Sequence, residues 1–161
     1  MELVELNLRN TWLSERSMKY LSENLTEKIE KLCLENCAMV NDENIKTLII
    51  RCQKLKELNL KDTSITNTTI TNIIGNLQET LVKLDVSQNK RITKKKLVKL
   101  KIMPKLKVLQ SDFSIESLQK SIPHLRSEKF KIGMITMPSK QMKLFSCETF
   151  CSQDDNAYYS Q

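Results

Sequence analysis

Few residues in this chain could carry out chemistry. Its 161 residues include one histidine, His124, and five cysteines. Cys147 and Cys151 have the spacing of two metal ligands, but no histidine clusters with them to complete a zinc site. None of the cysteines has a base close to it in the sequence, as a cysteine nucleophile requires. The two glycines stand apart, so there is no glycine-rich phosphate loop. The sequence therefore predicts no enzyme activity, no metal and no cofactor.

Basic residues are concentrated in one segment. Between Lys90 and Lys107 there are nine lysines and arginines and no acidic residue, whereas the net charge of the whole chain is +7. Lys94, Lys95 and Lys96 form a basic patch where a helix is expected to begin, although the helix dipole disfavours cations there. Three interpretations remain open: a solvated face, a surface for an acidic or phosphorylated partner, and a nuclear-localisation or nucleic-acid patch. The run contains no aromatic residue, so stacking on single-stranded nucleic acid is not supported.

A phrase of the form leucine-x-x-leucine-x-leucine recurs along the chain. Its spacing fits neither a helix face nor a simple alternating strand. It is the signature of leucine-rich repeats, in which each unit is a short strand followed by a helix. The sequence therefore predicts an α/β fold, a leucine-rich-repeat solenoid of about five to six repeats with a parallel sheet on its concave side and helices on its convex side. The phrase begins at Leu3, Ile29, Leu55, Leu81 and Leu106, at intervals of 26, 26, 26 and 25 residues.

Stacked parallel strands would align equivalent residues of the repeats in columns on the concave face. We expect opposite charges on neighbouring strands to stabilise each other, and we expect the uncharged polar residues to suit hydrogen bonding to an extended protein ligand. The first column is Glu5, Lys31, Glu57, Lys83 and Val108; the middle column is Asn7, Cys33, Asn59, Asp85 and Gln110; the third column is Arg9, Glu35, Lys61, Ser87 and Asp112.

Helices are expected between the strands, with Ser14, Asn41 and Thr93 as N-terminal caps. The position that follows each strand holds small residues whose polar groups can bond to the backbone, and we expect Cys37 and Asn89 to be structural there. The predicted helices are about Ser14 to Asn24, Asp42 to Arg51, Thr68 to Leu77, Lys94 to Ile102, and a shorter one near Ile115 to Ser121.

The composition fits a protein of a reducing compartment. Five cysteines, an odd number at irregular positions, do not indicate a disulfide framework. The sequence also shows neither a signal peptide nor an apolar segment long enough to cross a membrane. We therefore expect a nuclear and cytoplasmic protein with a repeat domain over residues 1–138. The composition changes after Pro138, and residues 139–161 are expected to form a largely disordered tail.

Two segments resemble the leucine-rich-repeat F-box protein family. The first is the cysteine-bearing repeat "LCLENCAMVNDENIKTLIIRCQKLKELNL". The second is the closing segment "IMPKLKVLQSDFSIESLQKSIPHL" followed by "ITMP", which is similar to the last repeats of the S-phase kinase-associated type within that family. The resemblance implies the substrate receptor of a cullin-type ubiquitin ligase. Such a receptor would bind a phosphorylated cell-cycle regulator, of the kinase-inhibitor type, on its concave face and promote its ubiquitination and degradation.

The resemblance also implies partners and contact residues. A cyclin-kinase subunit accessory protein would bind beside the substrate, and an F-box, which is not visible here, would hold the ligase adaptor and cullin. Asp62 matches an acidic residue of the family's ligand-facing edge and could equally cap the following turn. Gln88, Lys90 and Lys131 stand where the family has other side chains. The protein-binding residues implied together by the columns and the resemblance are Asn7, Arg9, Glu35, Glu57, Asn59, Lys61, Asp62, Asp85, Gln88, Lys90, Gln110 and Lys131.

Two hypotheses of function follow. In the first, the chain is the substrate-recognition part of a ubiquitin ligase; because it begins directly in a strand, we expect a fragment or an isoform without the F-box. In the second, it is a free-standing scaffold or competitor that binds an acidic protein or nucleic acid through the basic run 90–107. Salt-dependent nucleic-acid binding would favour the second hypothesis.

Overall fold

A computed structural model describes residues 3–25 and 27–128 of the chain. Strands and helices alternate within them, and the five strands form one parallel sheet in sequential order, which confirms the α/β prediction. The strands are β1 (Glu5–Asn7), β2 (Lys31–Cys33), β3 (Glu57–Asn59), β4 (Lys83–Asp85) and β5 (Val108–Gln110). The helices are α1 (Glu15–Asn24), α2 (Asp42–Arg51), α3 (Asn67–Leu77), α4 (Lys94–Leu97) and α5 (Ile115–Gln119).

The repeated leucines form the core between the sheet and the helices. Leu32, Leu58 and Leu84 lie at the centres of neighbouring strands, where the register places them directly beside one another. All three are fully buried, as are Ile45 and Leu48 of α2 behind them. Burial of each such side chain stabilises the fold by about 1.5–3 kcal/mol. The helices therefore cover one face of the sheet and leave the opposite face, here called the outer sheet face, to solvent.

The predicted helix caps are confirmed. The side-chain oxygens of Ser14 and Thr93 accept hydrogen bonds from backbone N–H groups in the first turns of α1 and α4. Asn41 and Asn44 bond reciprocally to each other's backbone N–H groups at the start of α2. These bonds satisfy donors that the helix itself leaves without partners.

The fourth helix is shorter than the sequence predicts. α4 ends at Leu97, and a 3₁₀ helix over Val98–Ile102 continues it. A 3₁₀ helix rises by about 2.0 Å per residue, against about 1.5 Å in an α-helix. The tighter winding covers the same distance with fewer residues, which suits the repeat whose interval is 25 rather than 26 residues.

The small residues that follow the strands form the predicted structural ladder. The thiol of Cys37 donates to the carbonyl oxygen of Leu8, one repeat earlier, at 3.1 Å. The amide of Asn89 likewise donates to the carbonyl oxygen of Leu60 at 2.8 Å, and its Oδ1 accepts from the backbone N–H of Thr63 at 3.2 Å. These side chains join successive repeats where the chain leaves the sheet.

A second ladder, not foreseen in the sequence, joins the starts of the helices. The carboxylate of Asp42, the first residue of α2, accepts four hydrogen bonds from the beginning of the third repeat's helix. Thr66 and Thr69 each donate through the backbone N–H and the hydroxyl, at 2.5–3.1 Å. Burial alone would raise the pKa of Asp42, but these hydrogen bonds outweigh it and lower the pKa below its ordinary value of 3.8.

We expect Asp42→Ala to lower the free energy of unfolding by about 1–3 kcal/mol at neutral pH, because the start of α3 loses a charged acceptor of four hydrogen bonds. The folded-state pKa of Asp42 is depressed, so its contribution is complete above the unfolded pKa and is lost as the pH falls through the folded pKa. Urea unfolding of both proteins at pH 7 and near pH 3 measures the effect. A difference that persisted unchanged at the lower pH would contradict this account.

The domain boundary predicted at residue 138 and the tail of residues 139–161 lie outside the described residues. Across the described part of the chain, no helix has the length and apolar character needed to cross a membrane.

Candidate protein-binding surface

The first column of the outer sheet face is a chain of alternating charges. Lys31 pairs with Glu5, and Lys83 Nζ lies 3.5 Å from Glu57 Oε1. The hydrogen bond to Glu5 raises the pKa of Lys31 above its ordinary value of 10.5. This arrangement confirms the expected pairing of opposite charges on neighbouring strands.

Glu35 is the centre of the third column. Its Oε1 accepts ion pairs from Arg9 at 3.3 Å and from Lys61 at 3.2 Å, and its Oε2 accepts from Asn59 at 3.1 Å. The carboxylate side chain is 11% exposed, whereas those of Arg9 and Lys61 are 56% and 32% exposed. The acid is thus buried beneath the two cations, and the solvent meets mainly the cationic ends of the column.

The middle column is largely buried, although its residues are polar. Cys33, Asn59 and Asp85 lie between the long side chains of the two flanking columns and are at most 5% exposed. Asn59 Oδ1 accepts from the backbone N–H of Lys61 at 2.9 Å, so both ends of its amide have internal partners. A protein ligand would therefore meet the flanking columns first, and not the amide of Asn59 as the sequence suggested. Asn7, at the start of the column, is half-buried.

Asp85 is held by Ser87, two residues further along the chain. Its Oδ1 accepts from the backbone N–H and the hydroxyl of Ser87 at 2.9 and 2.6 Å. Burial raises the pKa of Asp85, and the bonds from Ser87 and the nearby charge of Lys61 oppose that rise. Asp85 is therefore a positioned internal acceptor rather than an exposed charge.

The predicted residues at the ends of the strands are exposed on tight turns. Asp62 and Gln88 have positive φ angles of 52° and 60°, which suit Asp better than Gln. The backbone N–H of Gln88 donates to Asp112 Oδ1 at 2.7 Å, and Lys90 is exposed in the same turn. Asp62 has no side-chain bond to Thr63; instead Thr63 bonds to Asn89. Gln110 lies on β5 and contacts the carbonyl oxygen of Glu128 at 3.5 Å, while Lys131 lies outside the described residues.

The basic patch lies on the other side of the molecule. Lys94, Lys95 and Lys96 make the single α-helical turn of α4, in the helix layer. They are separated from the outer sheet face by the buried Leu97 and Leu84. The basic patch and the cationic ends of Arg9 and Lys61 therefore cannot form one continuous binding surface.

No chemical site competes with the outer sheet face among the described residues. Within residues 3–25 and 27–128, no three His, Cys, Asp or Glu side chains gather to hold a metal ion. Cys33, Cys37 and Cys52 are buried thiols, and burial raises their pKa values, that of Cys52 to about 11. Raised values leave the thiols protonated and weakly nucleophilic at neutral pH.

An open groove of about 670 Å³ runs between α1 and α2. Arg16, Lys19, Met39 and Glu43 are among its lining residues, and charges of both signs are interspersed along it. Sites for small molecules are typically enclosed and mostly apolar, with a few converging polar groups. This groove is open and is lined mainly by charged and polar residues, so we assign it no ligand.

Two features of the surface were not among the predicted protein-binding residues. Lys31 and Lys83 lie on the outer sheet face beside the predicted residues. The sequence had already placed both lysines in the first column. Trp12 is 100% exposed, although its neighbour Leu13 is buried. Nothing in the repeat requires a tryptophan there, since the equivalent positions hold Ala38 and Ser64.

Comparison with known proteins yields similar folds but no family. Neither the protein-family models nor the curated proteins contain a match to this chain. Among solved structures, the actin-binding site 2 of leiomodin-1 is similar, with a TM-score of 0.59 and 22% identity over 76% of this chain and 78% of that one. The tropomodulin C-terminal domain of Caenorhabditis elegans is similar with a TM-score of 0.61 and 18% identity, covering 76% of this chain and 83% of that one.

The expected membership of the F-box family is therefore wrong, because the structural neighbours are tropomodulin and leiomodin domains. With it fall the ubiquitin-ligase function and the partners that the resemblance implied: a phosphorylated substrate, a cyclin-kinase subunit, a ligase adaptor and a cullin. The alternative scaffold that would bind an acidic protein or nucleic acid through the basic run 90–107 has no support either. The basic patch lies in the helix layer, away from the outer sheet face on which the predicted protein-binding columns meet solvent.

Proposed function

We propose that this chain is a non-catalytic leucine-rich-repeat solenoid that binds actin through its outer sheet face. The 26-residue register of the first four strands supports the solenoid, because each of these repeats contributes one strand and one helix at the same spacing. Leiomodin-1 supports actin as the partner, because a domain of similar fold is described as an actin-binding site in that protein. The buried, protonated thiols support a role without catalysis.

The observation that carries the proposal is the arrangement of charges on the outer sheet face. Its carboxylates lie inward, and Arg9, Lys31, Lys61 and Lys83 extend over them toward solvent. The cations are held by ion pairs on a regular sheet, so they lose little freedom when a partner binds. A stack of repeats offers a broad rigid surface, which suits a protein rather than a small molecule.

Lys61→Glu and Lys83→Glu are each expected to weaken binding to monomeric actin by about tenfold or more, because each reversal places like charges next to Glu35 or Glu57 and removes a cation from the interface. Isothermal titration of the 161-residue chain into monomeric actin measures the dissociation constant. Circular dichroism before each titration verifies that the variant is folded.

Lys19→Glu and Lys46→Glu are the matched controls, because both lysines are exposed on α1 and α2, away from the sheet. We expect these reversals to leave the dissociation constant within about twofold of the wild-type value. Absence of wild-type binding would refute actin as the partner. Equal losses in both sets of variants would refute the outer sheet face as the binding surface.

A further inference from the structure

Strand β1 is one edge of the described five-stranded sheet. The carbonyl oxygen of Val4 accepts from the backbone N–H groups of Glu30 and Lys31, and the N–H of Leu8 donates to Cys33. The even-numbered residues along β1 therefore point their backbone groups at β2. Because these groups alternate along a strand, those of Glu5 and Asn7 point to the opposite side, where the described sheet has no further strand.

The charged side chains along this edge are complementary to those of a second copy of the chain that runs in the opposite direction. Glu5 begins β1 and Arg9 lies in the turn that follows the strand, on either side of Asn7 along the chain; within their own copy they pair with Lys31 and Glu35. If a second copy lies antiparallel with its Asn7 opposite this Asn7, each Glu5 faces the partner's Arg9. The Arg9 side chain, 56% exposed, has five donors, and among the described residues its ion pair with Glu35 uses only part of them.

Exposed apolar side chains lie at both ends of the same edge. Leu3 and Val4, 39% and 43% exposed, precede β1, and Trp12, fully exposed, follows it. The antiparallel register brings the Trp12 of each copy to the beginning of the other β1, where the partner's Leu3 and Val4 lie.

The backbone of the Trp12 loop is well fixed. Thr11 Oγ1 donates to the carbonyl oxygen of Leu8 at 2.6 Å. The backbone N–H of Leu13 donates to the carbonyl oxygen of Thr11 at 3.1 Å. A fixed, exposed tryptophan is the kind of side chain that dominates protein interfaces, because it buries a large area at a low cost in conformational entropy.

We infer that two copies of this chain associate about a twofold axis through antiparallel pairing of their β1 strands, with Asn7 opposite the partner's Asn7. The pairing extends the sheet across both copies. Each copy contributes the same surface to the interface, as in twofold dimers, which are the commonest oligomers. It buries the edge hydrogen-bonding groups, the apolar ends and two Glu5–Arg9 pairs at once. This association does not rest on the actin proposal, although Arg9 belongs to both surfaces.

Sedimentation equilibrium of the 161-residue chain from low to high micromolar concentration tests the pairing. The expected species has twice the 18.7 kDa mass of one chain. Glu5→Arg and Arg9→Glu each place like charges opposite one another twice, so each is expected to weaken self-association by about tenfold or more. An equimolar mixture of the two variants restores both opposite pairs and is expected to associate about as strongly as the wild type.

Recovery in the mixture also shows that each variant is folded. Glu57→Arg is the matched control: it breaks the equivalent ion pair with Lys83, away from the edge, and is expected to leave dimerisation unchanged. A wild-type chain that stays monomeric throughout would overturn the inference. So would single reversals that remain dimeric, or a mixture of the two reversals that fails to associate.

Discussion

Replacement of Leu58 by alanine is expected to lower the free energy of unfolding by about 2–5 kcal/mol. Leu58 is fully buried at the centre of the middle strand, with Leu32 and Leu84 directly beside it in the sheet. Its truncation removes apolar contacts and leaves a cavity that the neighbouring repeats cannot fill, because each is fixed by its own ladder bonds. Urea unfolding followed by circular dichroism measures the change.

Ile50→Ala provides the control for this substitution. Ile50 is a similar side chain in α2 but is 43% exposed, so its loss is expected to cost less than about 1 kcal/mol. Equal losses at the two positions would mean that the core between sheet and helices is not packed as described.

Asn89→Ala is expected to lower the free energy of unfolding by about 2–4 kcal/mol, because several buried backbone groups lose their partner together. The amide donates to the carbonyl oxygens of Leu60, Val86 and Ser87 at 2.8–3.1 Å and accepts from Thr63. Water cannot easily replace it, since Asn89 is 3% exposed. Thermal or urea unfolding of the variant gives the loss.

A second asparagine offers a direct comparison. Asn67 also joins repeats, through a hydrogen bond from the backbone N–H of Thr93 to its Oδ1 at 3.0 Å, but at a solvent-exposed site. Asn67→Ala is expected to cost about 0.5–1.5 kcal/mol, because water can take over that bond. If Asn67→Ala lowered the free energy of unfolding more than Asn89→Ala, the structural ladder of residues that follow the strands would not contribute as described.

The sequence predicted the fold well because repetition supplies its own register. The 26-residue interval alone places Leu32 beside Leu58, and it places Lys31 beside Glu57 in the same way. The caps at Ser14, Asn41 and Thr93 were also predictable, since their side chains act on the backbone of their own helix.

The surface was predicted less well, because exposure depends on the lengths of neighbouring side chains. Asn59 and Asp85 occupy outward positions yet are buried, since long charged side chains on both sides cover them. Asp42 accepts hydrogen bonds from Thr66 and Thr69 of the next repeat, and the sequence of its own helix gives no sign of these contacts. Trp12 stands out only because its neighbours in the fold leave it exposed.

The resemblance to F-box proteins failed for a related reason. Its matched segments contain the leucines and the turn residues, such as Cys37, that a repeat of this type needs in order to fold. Such residues carry information about packing, whereas a partner is recognised by the residues between them. The structural neighbours differ from the F-box family, and the binding surface is inferred from the charged columns instead.

Lysine reactivity in the presence and absence of monomeric actin tests the proposed function most directly. Lys31, Lys61 and Lys83 lie on the outer sheet face, and Lys19, Lys46 and Lys95 lie on the helices of the same chain, so each sample contains its own control. An amine-specific reagent and mass spectrometry give the labelling rate of each side chain. We predict that actin slows labelling of the first three and leaves the second three unchanged. Protection of the helix lysines alone, or of none, would contradict actin binding through the outer sheet face.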